Sequence, residues 1–139
     1  MYNLAENIDR GKVKFSFQKD ERLCSKKIID KLFPEGKTIF VFPLKIIYIE
    51  TQLPSKYPVQ AAFTVGKRNF KRAVQRNLIK RRMREAYRLN KSKFYDEIGE
   101  KQIAVFFIYT GKTILEYSQI ETAVKKGMKK LLSELDTNL

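Results

Sequence analysis

Between Lys67 and Lys93 the chain carries twelve basic residues and a single acid, Glu85. The cations are Lys67, Arg68, Lys71, Arg72, Arg76, Lys80, Arg81, Arg82, Arg84, Arg88, Lys91 and Lys93. So many charges of one sign cannot enter a core, because an unpaired buried ion costs several kcal/mol. The segment must therefore lie at the surface. Yet Ile79, Met83, Ala86 and Tyr87 gather on one side when residues advance by 100°. A helix over Lys71 to Asn90 satisfies both demands, docking by its apolar side with Asn77, Lys80, Arg81, Arg84 and Arg88 broadly opposite.

The charge is local. The segment nets +11, whereas the whole chain of 139 residues nets +14, from 29 lysines and arginines against 15 acids. Only +3 is left for the rest. A field of this sign attracts a polyanion, either nucleic acid or an anionic membrane. Hydrophobic residues make up 43%, enough for the core of one domain. Cys24 is the only cysteine, which excludes an intrachain disulfide or a cysteine-cluster metal site and fits a reducing, cytoplasmic setting. No signal peptide is expected, since Asp9, Arg10 and Lys12 precede any apolar run. The longest clean apolar run, Ile103 to Tyr109, is too short to span a bilayer.

Residues 1–16 are expected to be a flexible N-terminal tail, with a short strand possible over Gly11–Phe17, and residues 17–135 a single domain. A first helix is expected from Glu21 to Phe33, stopped by Pro34 and Gly36. Ile39 to Thr51 reads as one long strand, with Pro43 marking an edge or a bulge. Val59 to Gly66 reads as a second strand antiparallel to the first. Lys101 to Tyr109 is nearly all apolar and is expected at the centre of the sheet. Ser118 and Glu121 form a capping-box pattern. The helix they open has an apolar stripe of Ile120, Val124, Met128, Leu131, Leu132 and Leu135. This order of helices and strands predicts an α+β sandwich around one small sheet.

Cations repeating at three- and four-residue spacing on a helix repel one another unless a polyanion relieves them. Phosphates do so, and each contact releases condensed counterions. Arginine predominates, and its planar fork grips two phosphate oxygens or stacks on a base. Asn77 offers a donor and an acceptor for a base edge or a sugar hydroxyl. A merely solvated basic face is disfavoured by the sign imbalance. A membrane-surface helix is disfavoured because the apolar side is needed to cover the sheet. A DNA-reading helix is disfavoured because no short helix precedes it at helix-turn-helix spacing. Catalysis by the chain alone is not expected, and no catalytic residue is assigned. Histidine is absent, and no Gly-rich phosphate loop or zinc spacing occurs. Asp96, Glu97 and Glu100 read as a solvated acidic loop rather than a metal site.

From Phe63 to Glu85 the chain resembles the ribonuclease P protein family. A strand ends in Val65-Gly66 followed by Lys67-Arg68. A short link leads to Ala73-Val74, then Arg76-Asn77-Leu78, Lys80-Arg81 and Arg84. Phe17, Arg22-Leu23, Phe33 and Gly36 resemble the family's opening segment, and Leu115-Glu116-Tyr117 its end, so the similarity spans about Phe17 to Leu132. The resemblance implies a two-layer α+β sandwich with a left-handed βαβ crossover, an exception to the common hand. It implies a catalytic RNA partner whose Mg²⁺-dependent hydrolysis removes the 5′ leader of precursor tRNA. Neither membrane nor DNA is an expected partner. By position, Lys67, Arg68, Arg72, Arg76, Asn77, Lys80, Arg81, Arg84 and Arg88 would contact the catalytic RNA. Ile29, Phe33, Lys45 and Ile47 would line the leader cleft, and no protein ligand for a metal is assigned.

Two departures stand out. The family's Arg-Asn-Arg ends here in Leu78, with Arg82 as an extra cation a turn later. Ile29 and Ile47 stand where relatives commonly place aromatics, which predicts weaker base stacking in the cleft. A ribosomal or assembly RNA-binding protein is the competing expectation, and a DNA-binding protein a more distant one.

Overall fold

In the computed structural model, which describes residues 16–137, four strands form one mixed sheet and three α-helices pack on it. A 3-10 turn at Lys19–Glu21 leads to α1 (Lys26–Glu35), β1 (Lys37–Val41), β2 (Leu44–Glu50) and β3 (Val59–Val65). Then follow α2 (Ala73–Ile98), β4 (Ile103–Tyr109) and α3 (Tyr117–Thr137). Most of the expected N-terminal tail and of the Gly11–Phe17 strand lies outside the described residues. Ser16 and Phe17, the described part, are in no strand.

The sheet order is β1-β2-β4-β3. β4 pairs antiparallel with β2 and parallel with β3. The apolar run is therefore central, as its composition predicts. β3 does run opposite to β2, but β4 is inserted between them, so the two do not pair. The β3–α2–β4 connection is a parallel crossover, a long-range pairing that local sequence cannot announce.

The single strand expected over Ile39 to Thr51 is instead a hairpin. β1 and β2 pair with Val41 opposite Leu44, and the chain reverses at Phe42 and Pro43. Pro43 has no N–H for the ladder. Its carbonyl accepts from the Thr110 amide at 2.8 Å and the Thr110 hydroxyl at 2.9 Å, which anchors the turn to the end of β4.

The first helix starts later than expected. Ser25 caps it, its hydroxyl accepting from the Ile28 amide at 3.3 Å. Residues 21–23 are held by tertiary contacts instead. The Leu23 amide donates to the Ala61 carbonyl at 3.0 Å, Arg22 bridges Ala61, and the Glu21 carboxylate points inward. Pro34 sits inside the last turn rather than ending the helix. The Gly36 amide closes α1 on the Leu32 carbonyl at 2.7 Å.

α2 runs two turns beyond the expected Asn90. Lys91, Phe94 and Ile98 continue the buried stripe of Ile79, Met83, Ala86 and Tyr87. Gly99, at φ 73°, ends it. Asp96 and Glu97 belong to these added turns and not to a loop. α3 also begins earlier than its expected cap. The Glu116 amide donates to the Gln119 side chain at 3.1 Å, and Ser118 lies within the first turn.

Two apolar clusters, one on each face, hold the sheet. α2 and α3 cover one face over Ile46, Tyr48, Val105 and Phe107. α1 covers only part of the other, over Ile47 and Ala104. A ten-residue helix is about 15 Å long, whereas a seven-residue strand is about 23 Å. Much of that second face is consequently open.

Candidate nucleic-acid interface

Ile79, Met83, Ala86 and Tyr87 are all fully buried, which fixes how α2 is turned. Arg72, Asn77, Arg81 and Arg84 then form an exposed ridge, with Lys80 half-buried beside them. Lys67 and Arg68 extend the ridge from the loop that follows β3 and are exposed. Phe70 anchors that loop, buried with its ring 6.0 Å from that of Tyr109.

Several expected cations have internal duties. The Arg76 guanidinium donates to the Phe70 carbonyl at 2.7 Å and the Lys71 carbonyl at 2.8 Å. It clamps the loop that carries Lys67 and Arg68. Arg88 pairs with Glu85 and is half-buried, so it is a weaker candidate for an external contact. Arg82 donates to the Leu115 carbonyl and ties α2 to the segment before α3. Leu78, at the position where a third motif cation was expected, is half-buried, while Val74 one turn earlier is exposed. The ridge is thus interrupted by a small apolar step.

Lys91 is not part of the basic surface. It is 3% exposed, and its ammonium pairs with Glu21, which is 0% exposed. The Tyr95 hydroxyl donates to the same Glu21 oxygen at 2.7 Å, and the Tyr87 hydroxyl lies 3.0 Å from that of Tyr95. Lys91 also donates to the Ser16 carbonyl. Burial pulls the Lys91 ammonium below its ordinary range, and Glu21 partly restores it. A salt pair seventy residues apart has no local signal.

Burial also raises the Tyr87 and Tyr95 hydroxyls above their ordinary range. A raised folded value means that only the unfolded chain ionises just above about pH 10. These groups therefore leave stability intact below about pH 10 and remove it as the pH climbs further. Each contributes up to about 1.4 kcal/mol of loss per pH unit. Lys91, lowered by burial, works the other way below about pH 10, so urea midpoints should not fall before about pH 10 and should fall steeply above it. Level midpoints a full unit higher would show that the two hydroxyls are accessible.

On the open sheet face, Phe33 is 50% exposed and its ring lies 5.3 Å from that of Phe106. Ile29, Lys45 and Ile108 are half-buried around them. Ile47 departs from expectation. It is only 5% exposed and packs in the cluster beneath α1 with Leu32. A Cβ on Gly36 would collide with the Leu32 carbonyl and would press on Ile47 Cγ2 at 2.8 Å. Ile47 therefore supports the face from below. Phe106, unassigned from sequence, provides aromatic surface there. Its signal was available: Phe106 and Ile108 alternate with Val105 and Phe107 along β4, and α1 is too short to cover them.

A family profile described as Ribonuclease P matches residues 17–132. The chain belongs to the ribonuclease P protein family. The ribonuclease P protein component of Porphyromonas gingivalis is 36% identical over 119 residues, covering 82% of this chain and 85% of that one. That of Chlorobium phaeobacteroides is 35% identical over 133 residues, covering 86% and 91%. The fold is that of two solved family members. The ribonuclease P protein of Thermotoga maritima superposes with a TM-score of 0.64 at 19% identity, covering 79% of this chain and 96% of that one. That of Staphylococcus aureus gives 0.63 at 19%, covering 81% and 96%. Ribonuclease P proteins work with an RNA partner, and the stretch from Phe63 to Glu85 that resembles the family forms the end of β3, the anchored loop and the ridge of α2. Among the described residues no helix is long and apolar enough to cross a membrane.

Proposed function

We propose that this chain, as the protein component of an endoribonuclease ribonucleoprotein, holds the catalytic RNA on the α2 ridge and the 5′ leader of precursor tRNA on the open sheet face. The observation that carries this reading is the orientation of α2. Its apolar side is sealed against the sheet, and the guanidinium groups of Arg81 and Arg84, in no ion pair among the described residues, face outward.

Lys67, Arg68, Arg72, Arg81 and Arg84 supply cations for phosphates, and Asn77 a neutral donor and acceptor. Arg76 acts indirectly by fixing the loop of Lys67 and Arg68. On the other face Phe33 and Phe106 offer rings to unstacked bases, and Lys45 a charge to the strand's phosphates. A leader strand placed there increases substrate affinity without any group on the protein entering the reaction. Magnesium enters through the RNA and the substrate. Among the described residues no three carboxylates, cysteines or histidines come together in a way that could hold a metal. The setting is the cytoplasm.

Reconstitution tests the reading. The chain, a bacterial ribonuclease P RNA and precursor tRNA are combined at low Mg²⁺. Cleavage at the mature 5′ end should accelerate well above that of the RNA alone. A rate no better than the RNA's own would leave a non-catalytic RNA-binding role. Tighter binding to a DNA duplex than to the structured RNA would reject both.

A further inference from the structure

Outside the ridge and the open face, α3 presents Lys125, Lys126, Lys129 and Lys130, all exposed, and no acid lies between Thr122 and Ser133. Lys125 with Lys129, and Lys126 with Lys130, are like charges four residues apart, a spacing that weakens a helix. None of the four is in an ion pair among the described residues. Next to them, at the free edge of the sheet, Phe40 is 65% and Phe42 77% exposed. Phe40, Val41, Lys126, Lys129, Lys130 and Ser133 line a shallow groove of about 420 Å³.

This groove is continuous with the open sheet face. Phe40 stands opposite Lys45 in the β1–β2 ladder, and the Lys45 ammonium lies 5.8 Å from the centre of the Phe40 ring. A chain leaving the open face past Lys45 thus meets Phe40, then the lysines of α3. Lysine attracts phosphate as a mobile point charge, without fixed geometry. Exposed rings accept any base that is not already stacked. The combination suits single-stranded RNA rather than a duplex, whose bases are covered. An anionic membrane fits less well, because the apolar stripe of α3 is buried in the core.

We propose that the β1–α3 edge is a second contact for single-stranded RNA, receiving the part of the precursor-tRNA leader that runs on from the open sheet face. The proposal rests on the leader reading given above and extends it to residues that reading does not use.

The test uses holoenzyme reconstituted with ribonuclease P RNA and two precursor tRNAs. Their leaders are about 4 and about 16 nucleotides, the range over which one small single-strand site acts. Lys126→Ala/Lys130→Ala and Phe42→Ala are compared with the unaltered chain. The unaltered holoenzyme should bind the long-leader substrate more tightly. Each variant should lose most of that gain, while short-leader affinity stays level. The lysine variant should also flatten the log–log salt dependence of long-leader binding by about 1.4, two single-strand contacts at about 0.7 each. A gain that survives in both variants overturns the proposal, as does its absence from the unaltered holoenzyme. Equal weakening of short- and long-leader substrates, or weakened binding of the catalytic RNA itself, assigns the edge to another RNA and rejects the leader. Unchanged RNA binding with altered self-association, or with altered binding to anionic phosphatidylserine vesicles, rejects RNA at this edge. Failure of the unaltered chain to stimulate cleavage at low Mg²⁺ is a separate result, which removes the leader reading itself.

Discussion

Lys91→Met should destabilise the chain by about 3–5 kcal/mol, the cost of leaving one member of a buried ion pair without its partner. The Glu21 carboxylate would keep Tyr95 and the Gln18 amide, at 2.7 Å each, but would lose its counter-charge in a site closed to water. The effect should be non-additive. Lys91→Met with Glu21→Gln removes both charges and should recover a large part of the loss, since replacing a whole buried pair is often close to neutral. Urea unfolding of the two single variants and the double variant measures the coupling. A single-variant loss below about 1 kcal/mol, the range of exposed pairs, would place Lys91 at the surface. The pair also ties residues 16–23 to α2, next to Arg84, so its loss should loosen that segment before the rest unfolds.

Arg81→Ala with Arg84→Ala should weaken binding of ribonuclease P RNA by roughly one to two orders of magnitude per residue, taking charged hydrogen bonds at about 1.5–3 kcal/mol each. The log–log salt slope should fall by about 0.7–0.9 for each phosphate contact removed. Both side chains are exposed on the ridge, so urea stability should stay within about 0.5 kcal/mol. Arg76→Ala provides the contrast. Its guanidinium holds the Phe70 and Lys71 carbonyls, so stability should fall and the direct change in slope should be smaller. An unchanged slope in the Arg81 and Arg84 variant would put the ridge away from RNA. A full unit of slope lost with Arg76 alone and no loss of stability would make it a phosphate contact rather than a clamp.

The basic helix, the central strand and the last helix were legible because each has a strong local pattern. Ile79, Met83, Ala86 and Tyr87 are spaced for one helical face, and all are buried. The seven apolar residues of β4 can only sit between other strands. The stripe from Ile120 to Leu135 packs as its spacing requires. The motif from Phe63 to Glu85 supplied the family, because an ordered run of residue types over more than twenty positions does not recur by accident.

Tertiary structure decided the rest, and in each case the reason is a contact between distant parts of the chain. Lys91 reads as one more surface cation until Glu21 is brought beside it. Arg76 reads as a free surface cation until two carbonyls of the preceding loop accept from its guanidinium. Ile47 reads as a cleft residue until α1 and Gly36 are laid over it, and Phe106 reads as plain core until α1, through Phe33, covers it only in part. Periodicity fixes which side of an element is apolar, because that depends only on the geometry of its own backbone. Whether a side chain is covered, paired or open to a ligand depends on its neighbours in space, and those are set only when the whole sheet and its helices are assembled.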